Sequence, residues 1–202
     1  MSALIPPSPD RPSPPRLHRR EAVAALLEGR GDLLVVAGLG APAWDCAAAG
    51  DHALTFSLWG GMGLAAMTGL GLALARPHRR VLVVTGDGEM LMGLGSLATV
   101  AVQAPPNLSI VVLDNERYGE TGMQPSHTAH GVDLAHVARG CGFAVAATVV
   151  ASKDLLGLRA SIHQGAGPIF AVVKVHAETL PLVLPPRDGA MLVERFRKAL
   201  QE

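Results

Sequence analysis

Two short clusters, Gly86-Asp87-Gly88 and Asp114-Asn115, carry residue types and spacing from which chemistry can be argued. Each closes an apolar run of strand length. Val81-Leu82-Val83-Val84-Thr85 leads into the first, and Leu108-Ser109-Ile110-Val111-Val112-Leu113 into the second. Continuous β-branched runs of this kind are buried on both faces of a parallel sheet. Between them, Met90 to Val102 has helical periodicity, with Leu91, Leu94, Leu97 and Val100 inward. Gly93 and Gly95 weaken its start, so regular helix is expected from about Ser96. A right-handed crossover leaves both strands pointing the same way, and Asp87 and Asn115 then emerge on one edge of the sheet. Two oxygen-bearing side chains beside a glycine-opened helix start suit a hard divalent cation that carries a diphosphate. Glu89 lies one position further on, beside the diphosphate pocket; an exposed first-turn carboxylate favoured by the helix dipole is the simpler account of it.

A second stretch with chemical potential is Trp59-Gly60-Gly61-Met62-Gly63. Its glycines let backbone approach a ligand closely and open a helix whose N–H groups face it. The following helix is built of Ala65, Ala66, Gly69 and Gly71, small residues that allow close packing. Gly38-Leu39-Gly40-Ala41-Pro42-Ala43 formally matches a dinucleotide fingerprint. The next strand, Leu54-Thr55-Phe56-Ser57, ends without the acidic residue that such a site needs. A tight turn into a helix near Pro42 is the better reading. Downstream of Asn115, the polar loop 116–128 leaves a strand's carboxyl end, where functional groups are expected.

The elements that must position these residues alternate strand and helix throughout. Helix is expected from Arg19 to Gly29, Val132 to Arg139, Ser152 to about Gln164 and Asp188 to Gln201. Further strands are expected over Leu33–Ala37, Phe143–Val149 and Pro168–Val175, with 180–186 as an extended crossing segment. The fold class is α/β: a doubly wound, mainly parallel sheet with helices on both faces. A chain of 202 residues, 49% hydrophobic, fits one such domain over 19–202. Residues 1–18, rich in proline, read as a disordered or extended arm. The net charge is zero, which gives no footprint for nucleic acid or a membrane surface. The longest apolar stretch, 62–75, is too short to span a bilayer. No basic start precedes an apolar core, and Cys46 and Cys141 are isolated, which fits two buried thiols in a reducing cytoplasm.

The arrangement of GDG, twenty-five residues (89–113), then a strand closed by Asn115, resembles the cofactor signature of thiamine-diphosphate enzymes. The resemblance covers about 19–185 and implies thiamine diphosphate and Mg²⁺ as cofactors. Asp87, Asn115 and the main-chain carbonyl of Arg117 would hold the metal. Asp114 stands where the commonest form of the signature has Asn. Gly86, Gly88, Glu89, Tyr118 and Gly119 would surround the diphosphate. Gly60 and Gly61 would meet the pyrimidine amino group, with Met62 wedged between the cofactor's two rings. The segment Tyr118-Gly119-Glu120-Thr121-Gly122, followed by Gln124-Pro125, is similar to sulfopyruvate and phosphonopyruvate decarboxylases. Their diphosphate-binding subunit or half is the part resembled. Glu120, Thr121 and His127 are the residues placed to touch substrate, and Arg117 is the loop cation suited to a distal sulfonate or phosphonate.

The same resemblance implies a missing piece. The activating Glu, which hydrogen-bonds the pyrimidine, belongs to a separate pyrimidine-binding domain, and the expected partner is a subunit that supplies it. The implied function is decarboxylation of a small 2-oxo acid, with the thiazolium ring taking up the electron pair released with CO₂. The alternatives are a non-catalytic thiamine-diphosphate or magnesium-phosphate binding module, and a carboligase subunit of the acetolactate-synthase type.

Overall fold

The computed structural model describes residues 16–201. The arm expected over 1–18 lies outside that range up to residue 15. Residues 16–18 belong to the fold: Leu17 makes a parallel bridge with Val175, and its N–H donates to Lys174 O at 2.9 Å. The folded part therefore begins before the expected boundary at Arg19.

In chain order the strands are β1 (Leu34–Ala37), β2 (Thr55–Ser57), β3 (Val81–Gly86), β4 (Leu108–Asp114), β5 (Arg117–Tyr118), β6 (Gln124–Pro125), β7 (Val145–Val149) and β8 (Ile169–Lys174). The helices are α1 (Arg19–Leu27), α2 (Ala41–Ala48), α3 (Ala65–Ala75), α4 (Asp87–Met92), α5 (Ser96–Gln103), α6 (Leu134–Gly140), α7 (Ser152–Gln164) and α8 (Gly189–Ala199). Six strands form one parallel sheet in the order β2-β1-β3-β4-β8-β7, while β5 and β6 pair separately as a short antiparallel hairpin. β3 and β4 read as continuous apolar runs because both of their faces are covered: every residue of β4 is buried.

Two apolar layers sandwich the sheet. Val35, Leu82, Val84, Val111 and Val173 point to a cluster with α1, α2 and α7. Their alternates Leu34, Val36, Val83, Ile110 and Val172 point to α3, α5 and α6. Gly69 of α3 sits so close to Val83 that an added Cβ would collide with it, which is why α3 is built from small residues. The period-two split of the strand side chains is what makes the domain doubly wound.

Between β1 and β3 the strand order reverses: the chain first moves outward to β2, then returns to the other side of β1. Crossovers on either side of that point leave for opposite faces and open a crevice at the carboxyl ends, where open α/β sheets bind ligands. The helix expected after GDG is two pieces, α4 and α5, separated at Gly93–Gly95. The strand expected from Phe143 begins at Val145, on the sheet's exposed edge. Cys46 is buried, but Cys141 is only partly so, against the expectation of two buried thiols. Among the described residues, no helix is long and apolar enough to cross a membrane.

Candidate cofactor site

A cavity of about 170 Å³ opens at the switch point. β1 contributes Leu39 from the turn that follows it, and the end of β3 and the first turn of α4 contribute Gly86, Asp87, Gly88 and Glu89. β4 contributes Leu113 and Asn115, and the loop beyond adds 117–121. Met62 completes the wall from the turn before α3. Asp87 and Asn115 thus share one crevice, delivered by strands that pair in register from Val81↔Leu108 to Gly86↔Leu113.

Asp87 is only 2% exposed. Ser126 Oγ donates to its Oδ2 at 2.5 Å, and Thr128 Oγ1 lies 3.2 Å from the same oxygen. Both side-chain contacts fall on Oδ2, so Oδ1 is left without a side-chain partner. Burial pushes the Asp87 carboxyl up to about 6, and the neighbouring Asp114 charge adds to the rise, while the two hydroxyls oppose it. The chain folds loop 126–128 back over this strand-end carboxylate.

Asn115 Oδ1 accepts from Arg117 N at 2.9 Å, and Asp114 Oδ1 from Glu116 N at 3.1 Å. These two side-chain-to-backbone bonds turn the chain at Glu116, which takes a left-handed φ of 61°. The turn leads into the β5–β6 hairpin, which carries Arg117 and Tyr118 beside the cavity. The Tyr118 ring packs on Gly88, where an added Cβ would come 2.6 Å from Cε1.

Glu89 is not the exposed first-turn carboxylate that its position suggested. It is 5% exposed, and its Oε2 accepts from Thr85 Oγ1 at 2.8 Å and from Leu39 N at 3.1 Å. Burial pushes its carboxyl up, opposed by the Thr85 hydroxyl and by the amides of Ala65, Leu39 and Gly63. Oε1 is buried and has no hydrogen-bond partner. Gly38 admits this arrangement, since a Cβ there would overlap the Glu89 carboxylate. The Gly38–Gly40 turn is therefore part of the cavity wall. The sequence pointed to it only as a rejected dinucleotide fingerprint, although a Gly-x-Gly turn at a central strand's carboxyl end was the available signal.

Of the residues expected to meet substrate, Glu120 and Thr121 line the cavity. Glu120 Oε1 also accepts from Trp44 Nε1 at 3.2 Å. His127 lies outside the lining, on a single 3-10 turn (His127–His130), with Nδ1 3.4 Å from Tyr118 Oη. Gly60 and Gly61 precede Met62 on the turn and are not part of the lining.

The donor set fits a magnesium ion carrying a diphosphate. Asp87, Asn115 and the Arg117 carbonyl offer hard oxygens alone, and magnesium commonly takes one or two carboxylates and completes its octahedron with phosphate oxygens and water. Among the described residues no group of three or more His, Cys, Asp or Glu could hold a metal by itself.

Residues 40–174 match the family described as thiamine pyrophosphate enzyme, C-terminal TPP binding domain. The chain belongs to that family, and thiamine diphosphate is its cofactor. Among curated relatives, it is 38% identical over 185 residues to sulfopyruvate decarboxylase subunit beta of Methanothermobacter thermautotrophicus, covering 92% of this chain and 96% of the relative. It is also 38% identical over 167 residues to phosphonopyruvate decarboxylase of Streptomyces viridochromogenes, covering 82% of this chain but only 42% of that protein. Among solved structures, a Mycobacterium smegmatis protein described as a thiamin diphosphate-dependent enzyme superposes with a TM-score of 0.68 at 26% identity. That match covers 84% of this chain and 34% of the other. The chain is thus a subunit-sized thiamine-diphosphate decarboxylase component, of the same length class as the beta subunit and matching less than half of the phosphonopyruvate decarboxylase.

Proposed function

We propose that this chain is the diphosphate-binding subunit of a two-chain, thiamine-diphosphate-dependent decarboxylase of a small 2-oxo acid bearing a distal sulfonate or phosphonate. One observation carries the reading: Asp87 and Asn115 converge on the switch-point crevice, beside a cavity of about 170 Å³. Pockets for whole drug-sized ligands run to roughly 300–1,000 Å³. This one suits the diphosphate and metal, and leaves the pyrimidine end for a second protein surface.

When bound, the cofactor supplies an electron sink for the bond that breaks as CO₂ leaves. The chain's own residues do the rest. Asp87, Asn115 and the Arg117 carbonyl would hold Mg²⁺, and the surrounding backbone of Gly86, Gly88 and Gly119 would let the diphosphate approach. Glu89 braces the β1 turn against β3, so the floor does not yield when an anion binds. Tyr118 closes over Gly88. Met62, which lines the cavity, would be the apolar support beneath the cofactor's rings, and Gly60 and Gly61 would bring backbone to the pyrimidine. Glu120 and Thr121 stand at the mouth, where substrate enters, with His127 behind Tyr118. Arg117 supplies positive charge for the distal anion, and the partner subunit contributes the activating Glu.

Two predictions follow from this placement. Because Asp87 titrates at about 6, a proton competes with Mg²⁺ for its carboxylate. Apparent Mg²⁺ affinity is expected to be level above that pH and to fall, approaching tenfold per unit, below it; magnesium titrations across the range check this. Met62→Ala is expected to bind thiamine diphosphate within about threefold of wild type yet to slow exchange of the cofactor's C2 proton by an order of magnitude or more in the assembled enzyme. Exchange at the wild-type rate would assign Met62 to packing alone.

The substrate class is tested by assaying CO₂ release from sulfopyruvate, phosphonopyruvate and pyruvate, with this chain and a co-purifying partner. Preference for the sulfonate or phosphonate acids supports the proposal. Equal turnover of pyruvate, or none of any acid, contradicts it.

A further inference from the structure

Asp87 is not the only carboxylate buried beneath the cavity. Asp114, also 2% exposed, lies on the far side of Thr128. Thr128 Oγ1 is 2.7 Å from Asp114 Oδ1 and 3.2 Å from Asp87 Oδ2, and it is 2.9 Å from Ser126 Oγ. A threonine hydroxyl has one proton. The short contact gives that proton to Asp114, which fixes the Thr128 rotamer and leaves the Ser126 proton for Asp87 Oδ2. Two carboxylates this close, both out of water, repel unless a cation offsets one of them.

Lys174 is that cation. It stands at the end of β8, beside Asp114 in the parallel ladder. Its Nζ donates to Asp114 Oδ2 at 2.8 Å and to Glu116 Oε1 at 2.7 Å, with its side chain only 13% exposed. Arg16 backs the arrangement from outside, donating to Glu116 Oε2 at 2.5 Å and to the Val175 carbonyl at 3.1 Å. Two hydrogen-bonded groups thus meet beneath the cavity: Arg16, Glu116, Lys174, Asp114 and Thr128 on one side, Ser126 and Asp87 on the other, in contact at Thr128 Oγ1.

We infer that Lys174 is a positioning residue: by offsetting the Asp114 charge it fixes the Thr128 hydroxyl that packs against Ser126 Oγ and Asp87 Oδ2, and so keeps Asp87 with Oδ2 engaged and Oδ1 presented to the metal. Asp114 and Lys174 form one exchangeable unit in this role. The inference rests on the proposed metal site, and it assigns that site an outer support reaching from a different strand. Removing one member of a buried pair strands the other's charge, whereas removing both strands none. Lys174→Met alone leaves Asp114 uncompensated beside Asp87. In D114N/K174M the amide oxygen can still accept from Thr128 and from Glu116 N, and Glu116 keeps Arg16.

The test is Mg²⁺-dependent binding of thiamine diphosphate to the full-length chain, followed by calorimetry for wild type, K174M, K174R, D114N and D114N/K174M. Loss of such outer support typically costs 10–100-fold in metal affinity, and K174M is expected to fall by about that factor. K174R is expected to retain most of the affinity, and the double variant to return to within about threefold of wild type. Thermal unfolding without ligand is recorded alongside: a purely structural pair would move the unfolding temperature and leave the Mg²⁺ dependence unchanged. K174M binding within about threefold of wild type overturns the inference, as does a double variant no better than K174M. Should K174M not fold, a soluble D114N/K174M with near-wild-type affinity supports the exchange unit, and a double variant that is insoluble or binds weakly refutes it. Failure of Asp87 variants to affect binding in the same assay would instead remove the metal site itself, so the two outcomes are separable.

Discussion

Asp87→Asn is expected to bind thiamine diphosphate at least about 100-fold more weakly than wild type in the presence of Mg²⁺, while remaining folded. Outer contacts of a metal site cost 10–100-fold, and a direct carboxylate ligand should cost no less. A factor of 100 corresponds to about 2.7 kcal/mol. Asn is the appropriate replacement because the wild-type carboxylate is 2% exposed and accepts from Ser126. Alanine would leave those hydroxyls unpaired and mix a folding defect with the loss of a ligand. The amide keeps the shape and one acceptor oxygen but removes the charge. Because burial raises the wild-type carboxyl, the neutral variant is expected to unfold at the same temperature as wild type or higher when no ligand is present. Cofactor titration and a melting curve of the same sample check both halves. Unchanged affinity would dismiss Asp87 as the metal ligand.

The second large effect concerns the assembled enzyme. The chain alone is expected to release no measurable CO₂ from any 2-oxo acid, and to gain activity of several orders of magnitude when a pyrimidine-binding chain is added. A relative that matches along nearly its full length is itself a beta subunit, which implies a partner. The cavity described above suits only part of the cofactor, and among the residues lining it Glu89 is already tied to Thr85 and Leu39. It therefore belongs to the floor rather than to a pyrimidine ring. Fixing the pyrimidine against the reacting carbon and supplying an acid to relay its proton are each worth orders of magnitude. Mixing the purified chains at increasing ratio should raise activity until the subunits are matched. Full turnover before any partner is added would contradict the two-chain reading.

How much of this was legible beforehand differs from residue to residue. The β3 and β4 runs declare themselves because a strand buried on both faces needs no alternation, and their spacing placed Asp87 and Asn115 on a common edge. The α7 limits, Ser152 and Gln164, agree with the helix expected from Ser152 to about Gln164, although its N-cap is Ala151 and no side chain caps it. Glu89 was not. Its local context, first turn of a helix, is one in which an exposed carboxylate is stable. Its burial depends on a turn fifty residues earlier, where Gly38 leaves room for it. Leu39 was missed for the same reason, since only the β1–β3 adjacency turns a plain connection into a cavity wall.

Lys174 and Arg16 illustrate a different gap. A lysine closing the last strand and an arginine before the first helix look like solvated ends. Their partners are 60 and 100 residues away, respectively, for Asp114 and Glu116, and no periodicity encodes that distance. Asp114 itself was noted as a departure from the commonest signature, but its partner could be found only in three dimensions. His127 shows the reverse: a polar residue on a loop rich in candidates, which the fold sets behind Tyr118.

Retention of the diphosphate end of thiamine diphosphate through a magnesium ion at Asp87 and Asn115 is open to direct test by calorimetric titration of the pure full-length chain with thiamine diphosphate, with Mg²⁺ and then with chelator. The predicted result is saturable one-to-one binding that requires Mg²⁺, disappears with chelator and is competed by inorganic diphosphate. Absence of binding with Mg²⁺ present, or binding indifferent to its removal, would contradict the claim.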